Sequence, residues 1–348
     1  MDDFEVYHRT VQRFAAVESL YQTGDGHYMF KYLPSSAAVY LPFAALPMEA
    51  AKALWFALSI AAFAGTLTLT LRLLPDVRGP LVPLLSTLIL AKYLLHELRL
   101  GQINTFVMLA SLAVVWALAR SQKPDLIAGL SAGLATAVKP YAALLIAYLA
   151  VKRRWAAMAI ALAATAAAQL VPVIFYGVDG TIGQLRLWRE TLSASTPVLL
   201  NNSDAISVLA FFTKWLGDPA RAAIPALVAL VALAVLFLVV VVRGGNNKDA
   251  VILEGAMLLT LTPLVSPLGW DYNFLMALPA VMLLLQHWKI FPLPLRILLA
   301  INFAVIALAL YDTLGRERYA AFMSWSVTTV NFVLIVFALA YLRFKQAR

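Results

Sequence analysis

Apolar stretches of the length needed to cross a bilayer recur along the chain, and no other feature constrains its fold as strongly. They occupy residues 50–73, 81–98, 103–119, 155–176, 220–242, 250–265, 272–285, 295–310 and 321–341. A hydrocarbon core about 30 Å thick is crossed by roughly 20 helical residues. No water is present there to satisfy backbone N–H and C=O groups, so the spans must be helices. The excess apolarity belongs to these stretches: 62% of residues are hydrophobic and 13% charged, where a soluble domain has about half and a quarter. The expectation is an all-α, polytopic integral membrane bundle forming one domain over 1–348. Its parts are an outer loop (1–35), N-terminal helices (36–176), a second outer loop (177–219) and C-terminal helices (220–348).

Charge placement orients the chain. Arg72 and Arg78, Arg120 and Lys123, Lys152 to Arg154, Arg243 and Lys248, Lys289 and Arg296, and Arg343, Lys345 and Arg348 all fall on one side, which the positive-inside rule makes cytoplasmic. The net charge of +9 is thus spread over helix ends, so no nucleic-acid partner is expected. The scheme holds only if 124–151 enters and returns on the same side. Each half, about 13 residues or 20 Å, is too short to cross. It reads as a re-entrant hairpin or two short tilted helices broken at Lys139-Pro140. The opposite face carries Asp2, Asp3, Glu5, Asp25, Glu97, Asp179, Asp204, Asp271 and Asp312. The opening residues, about thirty and mostly polar, would also lie there without a leader to carry them; the expectation is a first membrane helix upstream, the alternative a short N-terminal tail that crosses by itself.

In 181–195, Ile182, Leu185, Trp188 and Leu192 line one helical face and Gln184, Arg186, Arg189 and Glu190 the rest. This is an interfacial helix, either a membrane anchor or a lid over a lipid-borne substrate. Gly129 and Gly133 have the spacing of close helix packing. The chain has no cysteine, so thiolate chemistry and disulfides are excluded. Dinucleotide, phosphate-loop, zinc-protease and serine-hydrolase signatures are absent.

Lys139-Pro140 carries the most information. Proline drives the preceding residue out of helical geometry and suits the first turn of the next helix. The helix N-terminus and the ammonium then converge within the membrane, an arrangement that attracts an anion. An intramembrane lysine is costly and marks a functional site, unless it pairs with a buried acid or reaches water. The turn His96-Glu97-Leu98-Arg99-Leu100-Gly101-Gln102-Ile103-Asn104 is more polar than a tight turn requires. Lys31-Tyr32 and Trp270-Asp271-Tyr272 mark two membrane entries, where an aromatic belt is the plain alternative.

Taken in order, Asp3-Phe4-Glu5-Val6-Tyr7, Phe30-Lys31-Tyr32-Leu33-Pro34, Gly101-Gln102-Ile103-Asn104, Gly133 followed by Lys139-Pro140, and Ser266-Pro267-Leu268-Gly269-Trp270-Asp271 resemble glycosyltransferase family 87. The resemblance implies a GT-C-type bundle that transfers a sugar, often mannose, from a polyprenyl-phosphate donor on the face opposite the cytoplasm. It implies Asp3 as base, with Asp2 as fallback, and Lys139, Arg99, Lys31 and His96 at the donor phosphate. Tyr32, Gln102, Asn104, Trp270, Asp271 and Tyr272 would line the substrate pocket. A lipid or glycan acceptor of the cell envelope and a bacterial plasma-membrane location are expected with it; no cofactor is expected, and the lack of a DxD-like acidic pair in an apolar context gives the expectation of no metal. Members often carry a histidine after the Trp-Asp pair; here Tyr272-Asn273 follows. A secondary transporter or lipid-linked-sugar flippase is the alternative, since broken helices and a buried cation suit it. A non-catalytic envelope subunit is a third reading.

Overall fold

The structure, a computed structural model, describes residues 1–25, 29–244 and 247–346. Among these residues there is no β-strand, only one isolated bridge between Ala205 and Trp270. The all-α class read from the apolar stretches is the one the chain adopts. It forms two compact units: residues 1–66 with 96–195, and residues 67–95 with 196–348.

The first unit opens with α1, Asp2–Ala15, in the segment read from sequence as a polar outer loop. Phe4, Tyr7, Val11 and Phe14 recur every three or four residues and are buried, while Asp2, Arg9 and Gln12 are exposed. An apolar stripe of this period needs a partner face. It finds one in Phe30, Tyr40, Phe43 and Trp55. The Phe4 ring stacks on Trp55 with centroids 5.2 Å apart, and Tyr7 stacks on Tyr40 at 4.7 Å.

Trp55 belongs to α2, Met48–Leu73. The stretch read as one helix over 81–98 is two, α3 (Leu81–Ile89) and α4 (Ala91–Leu100), bent by 60°. Gly101, at φ +71°, turns the chain into α5, Asn104–Arg120. Next come α6, Pro124–Val138, and α7, Ala143–Val151. Between them Lys139 is extended, at φ −132° and ψ 111°, and Pro140 opens a 3-10 turn. The break falls at the lysine, as the proline requires. Helix C-termini leave carbonyls without intrahelical donors. Here the Ser36 hydroxyl donates to Val138 O at 3.0 Å, and both Ser35 and Ser36 reach Ala137 O at 3.3 Å.

Helix α8, Trp155–Leu199, is two helices joined at Gly177, where φ is 67° and ψ −179°. Its first half packs on α6 through the two glycines. A Cβ on Gly129 would meet Ala157 O at 2.7 Å, and one on Gly133 would meet Ala161 O at 2.6 Å. Its second half contains the amphipathic 181–195. There Gln184 Oε1 accepts from Leu20 N at 3.1 Å, and Trp188 Nε1 donates to Lys31 O at 3.1 Å.

In the second unit, α9 (Val208–Leu216) and α10 (Pro219–Gly244) lead into α11, Lys248–Val265. The chain returns through a 3-10 segment, Asp271–Ala277, and α12, Leu278–Gln286. Residues 250–264 and 271–284 are buried without interruption; such an all-round apolar helix is a core element. Beyond α13 (Leu293–Leu308) and α14 (Arg316–Ser324), the stretch read as one helix over 321–341 breaks at Ser326, φ 51°, before α15, Val327–Gln346. Among the described residues, four helices are long and apolar enough to span a membrane: α2, α8, α10 and α15. The bent pair α3 and α4 would make a fifth. The other apolar stretches fold into shorter or more charged helices.

Candidate active site

The first unit gathers α1, the Lys31-Tyr32 segment, the α4–α5 corner and the α6–α7 break around one buried polar chain. Lys139, only 4% exposed, sits at its centre. Its Nζ donates to Asn104 Oδ1 at 2.6 Å and to Gln102 Oε1 at 3.4 Å, and lies 5.0 Å from the centre of the Tyr32 ring. Such aromatic faces favour a cation that has lost water. Asn104 Oδ1 also accepts the Tyr141 hydroxyl at 2.8 Å.

Gln102 joins the cation to the acid. Its Oε1 accepts the hydroxyls of Tyr7 and Tyr32, each at 3.0 Å. With the carbonyl so occupied, the amide Nε2 turns to Asp3 and donates to Oδ2. Asp3 and Tyr7, four residues apart on α1, therefore face the same amide. Burial raises the Asp3 carboxyl above the ordinary value of 3.8, against the pull of the Gln102 hydrogen bond and of Lys139 and Lys31. Burial lowers the Lys31 ammonium, and Asp3 opposes that shift. A half-buried carboxylate held this way is suited to take a proton.

Asp2 is exposed and lies 3.7 Å from the N-terminal ammonium. Arg99, read as a phosphate ligand in a polar turn, is exposed. The helix runs on to Leu100, and two residues of helix carry Arg99 about 200° from the buried Glu97. His96 is half-buried on the same helix. Trp270, Asp271 and Tyr272 belong to the second unit. Gly269, at φ +48°, packs its α-carbon against Ser207, and Ile206 N donates to its carbonyl at 3.1 Å. Asp271 accepts from Tyr272 N at 2.7 Å and feels the charge of Lys92, whose Nζ donates to Ala309 O at 3.2 Å.

Three participants were not assigned from sequence. Tyr7 lies one helical turn from Asp3, and Tyr141 follows Lys139-Pro140 directly. Glu97 is fully buried, accepting Asn104 Nδ2 at 2.7 Å on one oxygen and Thr105 N at 3.1 Å on the other. Its signal was the polar excess of that turn, where the more conspicuous Arg99 drew the assignment. Among the described residues no cluster of three or more His, Cys, Asp or Glu could hold a metal ion.

The fold and this site define a polytopic helical membrane protein in which one amide links a half-buried carboxylate, Asp3, to a buried cation, Lys139. Residues 30–267 match glycosyltransferase family 87, and the chain belongs to that family. The matched region contains Lys31, Tyr32, Gln102, Asn104 and Lys139, whereas α1 with Asp3, and Trp270-Asp271, lie outside it. No curated protein and no solved structure matches the chain.

Proposed function

We propose that this membrane glycosyltransferase moves a sugar, mannose in the first instance, from a polyprenyl-phosphate donor to a glycolipid or glycan of the cell envelope. The observation that carries the reading is the unbroken chain from Asp3 through Gln102 to Lys139. It sets a base and a cation on either side of one amide. The leaving group is a lipid phosphate, already a good anion, so no general acid is needed. Asp3 takes the proton of the acceptor hydroxyl as its oxygen attacks the anomeric carbon. The bond from that carbon to the phosphate oxygen breaks, and Lys139, with Lys31 beside Asp3, stabilises the charge left on the phosphate. Attack opposite the leaving group inverts the anomeric centre.

Tyr32, Gln102 and Asn104 then serve chiefly to hold these two groups, and Arg99 has no part. The second half of α8, anchored on Lys31 O by Trp188, is the roof of the site. The placement follows the charge asymmetry: active site on the non-cytoplasmic face, basic loops inside, in a bacterial plasma membrane.

The test is transfer of radiolabelled mannose from polyprenyl-phosphate mannose to an envelope lipid extract by the purified full chain in lipid bilayers. Asp3→Asn is expected to abolish transfer while leaving donor binding intact, and Lys139→Met to raise the donor KM. Turnover surviving in Asp3→Asn would remove the base assignment. Passage of the donor across proteoliposomes with no transfer would favour a transporter instead.

A further inference from the structure

The proposed mechanism leaves the buried carboxyl of Glu97 unused. Glu97 is 0% exposed, and burying a carboxylate is costly unless each oxygen is satisfied. Both of its oxygens act as acceptors, one for a backbone N–H and one for the Asn104 amide. An ionised carboxylate can only accept, whereas an amide has one accepting and one donating end. Glu97 therefore dictates which way Asn104 faces: Nδ2 toward Glu97, and Oδ1 toward Lys139 and Tyr141.

From this polarity, and building on the donor site proposed above, we infer that Glu97 is a positioning residue for the donor phosphate. It acts through Asn104 to hold the Lys139 ammonium at the phosphate. The consequence of Glu97→Gln can be followed atom by atom. Thr105 N is backbone and cannot change, so the new carbonyl oxygen at position 97 stays with it. The new NH2 then faces Asn104 Nδ2, donor against donor. Asn104 relieves this by turning over, which aims its own NH2 at Lys139 Nζ and the Tyr141 hydroxyl. Lys139 loses its shortest hydrogen bond, 2.6 Å, and is pushed off its position.

The same logic gives a reciprocal rescue. Adding Asn104→Asp to Glu97→Gln lets the new carboxylate accept from the new amide at 97 and from Lys139. The polarity of the chain and its charge are both restored, with the acid moved to the other residue.

The test is binding of farnesyl phosphate, a sugar-free polyprenyl phosphate, to the full chain in lipid nanodiscs, measured by calorimetry. Losing a hydrogen bond to a charged group predicts about tenfold to hundredfold weaker binding for Glu97→Gln. Lys139→Met should weaken binding at least as much. The double variant should return to within about threefold of wild type, a coupling that two independent sites would not produce. Silence of Lys139→Met would overturn the donor site, and the inference with it. Weakening by Lys139→Met alone, with Glu97→Gln silent, would overturn only the inference. Failure of the double variant to recover would reduce Glu97 to a packing role and overturn it as well. Should Glu97→Gln not fold, recovery of folding and binding in the double variant supports the relay, and an unfolded double variant overturns it.

Discussion

Replacing Gly101 by alanine tests whether α1, and with it Asp3, is held rigidly. Gly101 sits at φ +71°, where a Cβ costs about 1–2 kcal/mol. It also touches α1 from below: the new Cβ would lie 2.7 Å from Phe4 Cβ, when carbon atoms prefer about 3.5–4.0 Å. The corner itself is pinned, because Gly101 O accepts Trp55 Nε1 at 2.9 Å. Two responses are open. If α1 holds, overpacking adds about 1–3 kcal/mol, for roughly 2–5 kcal/mol in all. If α1 yields by about 1 Å, stability recovers but Asp3 leaves Gln102, and a shift of that size costs about a hundredfold in rate. Gly217→Ala is the control. That glycine, after α9, has φ +70° and nothing within 4 Å of the added carbon, so it carries the backbone strain alone. Thermal unfolding and initial transfer rates of the two variants, measured side by side, separate the terms. Equal stability losses, with wild-type turnover in Gly101→Ala, would refute the claim that α1 docks tightly on this corner.

Three further outcomes follow from the structure. Because burial raises the Asp3 carboxyl above 3.8 and a base works only when ionised, transfer should fall as pH drops, with a midpoint above that of an ordinary aspartate. Stability has the opposite sign: a raised folded-state value favours the protonated folded chain, so wild type should gain on Asp3→Asn in melting temperature toward acid, which a pH series of melts checks. Gly133→Val should separate α6 from the first half of α8, since even its Cβ would strike Ala161 O at 2.6 Å and Ala164 Cβ at 2.7 Å. A loss of several kcal/mol is expected, about that of severe overpacking, read as a large drop in melting temperature.

The sequence carried the helix positions well where one physical rule acted alone. Lys139-Pro140 fixed a break to the residue, and the glycines at 129 and 133 marked a real helix contact. It failed where two rules competed. In α1 the aromatic stripe was hidden among acids and arginines that only a docked, one-sided helix can reconcile. At 81–98 the summed apolarity concealed a 60° bend, because hydropathy carries no direction. Around the α4–α5 corner the polar residues were visible, but their division into inward Glu97 and outward Arg99 depends on helical phase. Reading the segment as a turn removed that phase.

The docking of α1 has a consequence for when the enzyme becomes competent. Asp3 rides on a helix seated largely by Phe4, Tyr7, Val11 and Phe14 against aromatic rings, with the Lys52–Glu5 ion pair at 2.8 Å beside them. On the role proposed for Asp3, a working site therefore needs α1 seated on this bed as well as the apolar segments inserted in the bilayer. A ligand, antibody or inhibitor that competes with α1 for the bed of Phe30, Tyr40, Phe43 and Trp55 would then unseat Asp3 and silence transfer.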